Sequence, residues 1–470
     1  MKAVIRIALI LTVLFCALGI IAQEADLTRP QVSPDEITTQ TLTVPTSPPA
    51  SHKPFGAMIT PASSVFRPED AGLRAHTNYL IFVPAGQAMS SPVPNNTFAE
   101  TPASLGCVYK VGPIYSGCNP QTGGTNHPDG GWGAIALVDA YDNPHAASDL
   151  AYFSSYFGLP AAQFRKVYAN QTYGSLNGMT ASCAGTPPVS TDWGVEESLD
   201  IQWAHVMAPS AKILLIEACS NSLADLLFAE QVAGIEVSNR GGGDISNSWG
   251  AGEWSGEVGS SDNCFYRWSW KKIVYFASAG DSGWGAQYPS SSPWVVSAGG
   301  TTVNRDANGN FVSESCWSGS GGGVSAYENW QSPPDIENGM GPWANFQYAQ
   351  FGQAARQTPD ISFDADPSSG VWVYDTYGYS GWLTVGGTSL ASPALAGIVN
   401  AAKNLLGQAP WNPVGYYTNQ ENNLLYDQLS GHLAYPYNFY DVTTGSNGVD
   451  AGPGYDQCTG IGSPRGHLGK

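Results

Sequence analysis

TVGGTSLASPALAGIVNAA, residues 384–402, reads as a strand, a glycine turn and a helix of small apolar residues. Ser389 falls near the first turn of that helix, and Pro393 sits where a proline is still tolerated. A helix start offers free backbone N–H groups and the positive end of the helix dipole, which favour negative charge developing nearby. Helix capping by Thr388 or Ser389 accounts for the same residues. A serine hydroxyl becomes a nucleophile only when another group takes its proton, so the choice rests on the rest of the chain.

Working outward, four apolar runs have the character of buried parallel strands: GAIALVDAY (133–141), AKILLIEA (211–218), KKIVYFASAG (271–280) and PWVVSAGG (293–300). Between them lie helical patterns, such as Leu150, Phe153 and Phe157, or Leu223, Leu226, Leu227 and Phe228. Strand and helix in alternation predict an α/β fold, a mostly parallel sheet flanked by helices on both faces. In such sheets chemistry gathers beyond the carboxyl ends of the strands, where Asp139, Ser248, Asp281 and the turn before Ser389 all fall.

None of the seven histidines (52, 76, 127, 145, 205, 432 and 467) stands out as a base. His205, in DIQWAHVMAP, has the neighbours of a core residue on a helix packed against the sheet. The same helix offers carboxylates in DWGVEESLDIQWAHVMAP (192–209). Glu196 and Asp200 are four apart and project from one face. Two carboxyls held close in a dry site cannot both ionise easily, so one keeps a proton and the pair can serve as base and then acid at low pH. A solvated acidic face is the plainer alternative, but Val195, Leu199, Ile201, Trp203 and Ala204 leave little exposed surface. Glu197 lies three from Asp200, and the residues alone leave it open as a rival to Glu196. Asp281, in YFASAGDSGWG, follows a buried strand and enters a glycine turn. It is either an ordinary turn aspartate or, when protonated, a donor to an oxyanion.

The whole chain fits this picture. Its 470 residues carry 38 acidic and 19 basic side chains, a net charge of -19, which disfavours nucleic acid and anionic membranes as partners. Lys2 and Arg6 precede an apolar run, Ile7 to Ala22, that ends in small residues, so residues 1–22 read as a signal peptide and the protein as secreted. Residues 23–100 read as a short N-terminal segment or reduced pro-region, whose opening, TRPQVSPDEITTQTLTVPTSPPASHKP, has the composition of an extended linker. Seven cysteines remain after Cys16, with Cys107 and Cys118 the evident local pair, and the odd count leaves at least one thiol outside a disulfide within the chain.

Taken together these residues resemble the sedolisin family, the serine-carboxyl peptidases of subtilisin-like fold. The likeness runs from TPASLGCVYKV (101–111) to the C-terminus. It covers the E-x-x-x-D of Glu196 and Asp200, SNSWG (246–250), SAGDSG (278–283), WSGSGGGVS (317–325), PDISFDADPSSGVWVY (359–374) and GGTSLASP (386–393), in that order. The resemblance implies Ser389 as nucleophile, Glu196 as its base, Asp200 as the carboxyl orienting Glu196, and Asp281 as the oxyanion-hole acid. It also implies that SGSGGG (318–323) lies along the substrate cleft, facing SNSWG. It implies one structural calcium ion in the C-terminal part of the 101–470 domain, in YDVTTGSNGVDAGPGYDQCTGIGSP (440–464), held by Asp441, the Val442 carbonyl, Gly452, Gly454 and Asp456. The expectation is a monomeric, acid-active endopeptidase acting on proteins or peptides. Two departures stand out. The pro-region is shorter than the family's usual pro-domain, and Asp139 resembles the subtilisin aspartate strand, read here as structural. A histidine-dependent subtilisin-type peptidase and an inactive peptidase fold used for binding are the alternatives.

Overall fold

A computed structural model describes residues 54–269, 271–329, 341–352, 355–405, 417–429 and 434–470. The signal segment, Cys16 and nearly all of the linker-like stretch lie outside the described residues. The described chain begins with β1 (Gly56–Ile59) and β2 (Leu80–Pro84). Then come β3 (Ala134–Ala140), α1 (Ala146–Phe157), β4 (Gln163–Ala169), α2 (Thr191–Met207), β5 (Lys212–Ala218), α3 (Leu223–Ser238) and β6 (Gly243–Asn247). The second half holds β7 (Ile273–Ser278), β8 (Val296–Arg305), β9 (Phe311–Cys316), β10 (Ile361–Asp364), β11 (Val371–Asp375), β12 (Gly381–Gly386) and α4 (Thr388–Leu405).

The main sheet runs β9-β8-β7-β6-β3-β5-β4, with β10 also paired to β8, and every pairing but β8–β9 is parallel. Side chains alternate across it as the period of two requires. Ile135, Leu137, Ile213 and Leu215 join one core with Leu199 and Trp203 of α2 and Leu395 of α4. Ala136, Val138, Leu214 and Ile216 join another with Leu226, Phe228 and Val232 of α3. Helices therefore cover both faces, as the alternating pattern predicts. The strand order reverses at β3, which lies between β5 and β6, and this switch point opens a crevice at the strands' carboxyl ends.

A second, four-stranded antiparallel sheet has the order β1-β2-β12-β11. It takes β2 from the N-terminal segment and pairs it with the strand that leads to Ser389. Residues 54–100 are thus built into the fold. Thr101 caps the helix Pro102–Val108 in a reciprocal capping box with Ser104, and the buried Glu100 beside it pairs with Arg305 of β8 at 2.5 Å. Helix α2 is buried on every side from Trp193 to Met207, so its sequence lacks a polar stripe. It packs against α4 at close range. A Cβ on Gly397 would come within 2.6 Å of Met207 Cβ, so only glycine permits this approach.

Candidate active site

The crevice gathers residues from α2, β3, the ends of β6 and β7, and the start of α4. Ser389 is fully buried, one residue into α4. Pro393 lies deeper than the sequence reading puts it, inside the helix rather than at its start. A proline there has no N–H to donate to the carbonyl four residues back. That carbonyl belongs to Ser389, and Ser248 Oγ lies 3.2 Å from it, its one hydroxyl proton shared with the shorter bond to Asp200 Oδ1. The Ser389 hydroxyl in turn donates to Ser248 O at 3.0 Å. The SNSWG segment and the α4 turn are therefore cross-linked twice, and a further hydroxyl pair, Ser246 and Ser392, lies at 2.8 Å.

Glu196 and Asp200 both lie on the α2 face toward this turn. Ser248 Oγ donates to Asp200 Oδ1 at 2.8 Å, while Asp200 Oδ2 and both Glu196 oxygens are buried with no aligned hydrogen bond. Burial raises the Glu196 carboxyl well above the usual range, the charges of Asp200 and Asp139 add to this, and contact with the Ser389 hydroxyl opposes it. Burial and then the Asp139 charge raise Asp200 likewise, against its bonds from Ser248 and Glu196. Glu197 turns elsewhere. After burial, its largest influence is Glu217, which is paired with Lys166 at 2.9 Å. The single-residue offset on α2 thus separates Glu196 from Glu197.

Asp281 sits just past β7. Thr388 donates to its Oδ1 twice, from the backbone N–H at 2.8 Å and from the hydroxyl at 2.9 Å. Its Oδ2 is buried without a partner, although the residue as a whole is half-buried. Burial lifts its pKa to about 8 against these two bonds. Gly387 shows where Oδ2 is aimed. This glycine has φ +119°, and a Cβ there would lie 2.4 Å from Asp281 Oδ2, in front of the Ser389 turn.

Asp139, read from the sequence as structural, lies at the carboxyl end of β3. It is fully buried, its oxygens have no hydrogen-bond partner, and burial raises its pKa to about 8. Its charge reaches Glu196, Asp200 and Glu197 alike, so it is a third carboxyl of the same cluster. The signal was its position at a strand's carboxyl end. His205 is a core residue as expected, with Nε2 paired to Pro160 O at 2.8 Å.

The SGSGGG backbone pairs with the chain's own 280–285 turn: Gly321 N donates to Gly280 O at 2.7 Å and Gly285 N to Gly322 O at 2.6 Å. It backs the Asp281 loop. The backbone that pairs with Trp249–Gly250 of SNSWG is His76–Thr77, from the N-terminal segment.

In the C-terminal loop, Gly454 N donates to Asp441 Oδ1 and Gly452 N to Asp456 Oδ2, both at 3.0 Å. These two bonds tie Asp456 and Asp441 to the glycine backbone between them. Among the described residues no group of three or more His, Cys, Asp or Glu is placed to hold a metal, so an ion here would rest on two carboxylates and carbonyls. Disulfides join Cys107 to Cys118, Cys183 to Cys219 and Cys316 to Cys458, leaving Cys264 as a buried thiol. No helix among the described residues is long and apolar enough to cross a membrane.

A parallel sheet with a serine at the head of a helix and a carboxyl pair across the crevice defines a class already known. Residues 178–430 match the family model described as the subtilase family. Kumamolisin of Bacillus sp. (strain MN-32) is 31% identical over 366 residues, covering 72% of this chain and 59% of kumamolisin. Sedolisin of Pseudomonas sp. (strain 101) is 31% identical over 198 residues, 39% of this chain and 29% of sedolisin. Among solved structures, Pseudomonas sedolisin, a serine-carboxyl proteinase complexed with pseudo-iodotyrostatin, superposes with a TM-score of 0.58 at 24% identity, over 79% of this chain and 96% of that one. The chain belongs to the subtilase family and, within it, to the sedolisins. It spans less than two thirds of the length of these two curated relatives.

Proposed function

We propose that this protein is a secreted, acid-active serine-carboxyl endopeptidase. Ser389 attacks the peptide carbonyl, and Glu196 takes its proton. Asp200 orients Glu196 and shares a proton with it, so that the pair carries one negative charge at acidic pH. Ser389 N–H and a protonated Asp281 hold the oxyanion. Glu196 then passes the proton to the leaving amine, and water, activated by the same carboxylate, hydrolyses the acyl-enzyme. The observation that carries this reading is the buried Asp281 Oδ2, free of partners and aimed in front of the Ser389 turn, with a pKa lifted to about 8. A group held neutral there is a donor, whereas a charged one would repel the oxyanion. The likeness to Pseudomonas sedolisin, a serine-carboxyl proteinase, supports the same chemistry.

The C-terminal loop is proposed to hold one calcium ion through Asp441, the Val442 carbonyl, Gly452, Gly454 and Asp456. Bound there, calcium would supply a cross-link between the two ends of the loop. Residues 1–22 are proposed as the export signal, and the working form is proposed as a monomer acting on protein or peptide substrates. Trapping tests the site: a peptide aldehyde added at acidic pH should leave a hemiacetal on Ser389 detectable by mass. Adduct formation at neutral pH only, or on Ser389→Ala, would contradict the proposal.

A further inference from the structure

Thr388 fixes the Asp281 carboxyl in front, but the turn that carries it is held from behind, by the C-terminal loop. In front, Asp281 Oδ2 shares a small space with the Asn78 carbonyl oxygen, which accepts from Ser389 N–H at 2.9 Å. A Cβ on Gly387 would meet these two oxygens at 2.4 and 2.2 Å. Behind, the chain runs through Ser282, Gly283 and Trp284 to the bridge between Gly285 and Gly322. Gly283 N–H donates to Gly319 O at 2.9 Å, and Trp284 N–H donates to Asn447 O at 2.7 Å. Asn447 is buried although it lies on a loop, and its carboxamide is used at both ends. Nδ2 donates to Ser320 O at 2.9 Å and to Gln457 O at 3.2 Å, while Oδ1 accepts from Val449 N–H at 3.1 Å. Gln457 reaches the same turn through Oε1, which accepts from Trp284 Nε1 at 3.2 Å. The fit is close, since a Cβ on Gly283 would come within 3.0 Å of Asn447 O. The loop itself is anchored: Cys316 N–H donates to Thr444 O at 2.7 Å, and Cys316 is bonded to Cys458. One buried carboxamide therefore joins the C-terminal loop, the SGSGGG segment and the turn of Asp281.

We propose that Asn447 is a positioning residue for the oxyanion-hole acid. By holding Trp284 and Ser320 in register it sets where Asp281 Oδ2 stands relative to the carbonyl under attack. The proposal rests on the peptidase reading above and gives Asn447 no contact with substrate. An oxyanion donor acts in the transition state, so a residue that aims it bears on kcat rather than KM. The place also demands a carboxamide. It presents two carbonyl oxygens and one N–H, which a planar group with two donors and an acceptor satisfies. Alanine leaves both carbonyls without this donor. Aspartate returns one donor when protonated, and when ionised it sets a negative charge against them.

The test measures kcat and KM of the full chain on a fluorogenic peptide from acidic to neutral pH, with Tm recorded in the same buffers. The variants are Asn447→Ala, Asn447→Asp, Asp281→Ala and the pair Asn447→Ala with Asp281→Ala. At a temperature where it is folded, Asn447→Ala should lower kcat by about 10- to 100-fold with KM little changed. Asn447→Asp should recover kcat in acid and lose it again as its carboxyl ionises, at a pH below the wild type's own decline. In the pair, the alanine at 447 should cost nothing beyond Asp281→Ala, because the group it positions is gone. If Asn447→Ala does not fold, the pH profile of Asn447→Asp decides. Unchanged kcat in the folded variants, a change in KM alone, an Asn447→Asp profile parallel to the wild type, or losses that multiply in the pair overturn the assignment and leave the peptidase reading standing. A wild type without peptidase activity at any pH overturns both.

Discussion

Thr388 binds Asp281 with two donors on one oxygen: its N–H and its hydroxyl both reach Oδ1, at 2.8 and 2.9 Å. One residue before the serine thus fixes the orientation of the aspartate and leaves Oδ2 to face the crevice. The carboxyl is neutral below about 8, so it can donate at acidic pH and loses its proton as pH rises through that value. Asp281→Ala should lower kcat by about 10²–10³. Asp281→Asn should lose less, because its amide can still donate while its oxygen accepts from Thr388. It should also lack this group's alkaline decline. Equal kcat losses in both variants, measured across the pH range, would contradict the donor role.

Glu196 and Glu197 are neighbours with different surroundings, one facing Ser389 and Asp200, the other Glu217 and Lys166. Glu196→Gln should cut kcat/KM by about 10²–10⁴ at acidic pH. Glu197→Gln should change it by only a few-fold, as a core substitution without a part in proton transfer. The reverse ranking would exclude Glu196 as the base.

Stability should fall as pH rises. Asp139 and Asp281 each have a folded pKa near 8 against an ordinary 3.8. Between those values the native state keeps protons that the unfolded chain releases, so these groups favour folding fully at low pH and progressively less toward neutrality. Thermal denaturation should give a higher Tm near pH 4 than near pH 8. Asp139→Asn should flatten that slope by about one proton. A Tm that climbs over the same interval would contradict the burial of neutral carboxyls.

Calcium removal should act on the C-terminal loop first. A chelator should lower Tm, and Asp456→Asn should lower it in calcium buffer and blunt the chelator's effect. Direct metal analysis of the purified protein should find one calcium per chain. Tm and metal content indifferent to both treatments would remove the ion from the account.

The buried strands and their covering helices were legible because both faces of the sheet are apolar. GAIALVDAY and AKILLIEA became Ala134–Ala140 and Lys212–Ala218 almost unchanged. PWVVSAGG set the strand too early: it begins at Val296 and runs on to Arg305, because partners at 311–316 and 361–364 extend it beyond any local apolar signal. Gln163–Ala169 lies at the sheet edge, alternates in burial rather than in residue type, and with Arg165 and Lys166 at its centre carries no long apolar run. The candidate site residues stood out one by one, Ser389 and Asp281 through turn and strand-end positions, Glu196 and Asp200 through their spacing of four on a helix. Two features did not. The place of Asp139 beside Glu196 depends on α2 crossing β3, and the seat of Asn78 on Ser389 depends on contacts 311 residues apart, which no local pattern encodes.

The central claim is that Ser389 works as a nucleophile with carboxyl partners in acid. The most direct measurement is a pH-resolved digest of a peptide library by wild type and Ser389→Ala side by side. The account predicts cleavage by the wild type that is greatest at acidic pH and absent from the variant at every pH. Full cleavage by Ser389→Ala, or a wild type silent in acid and active only near neutrality, would contradict it.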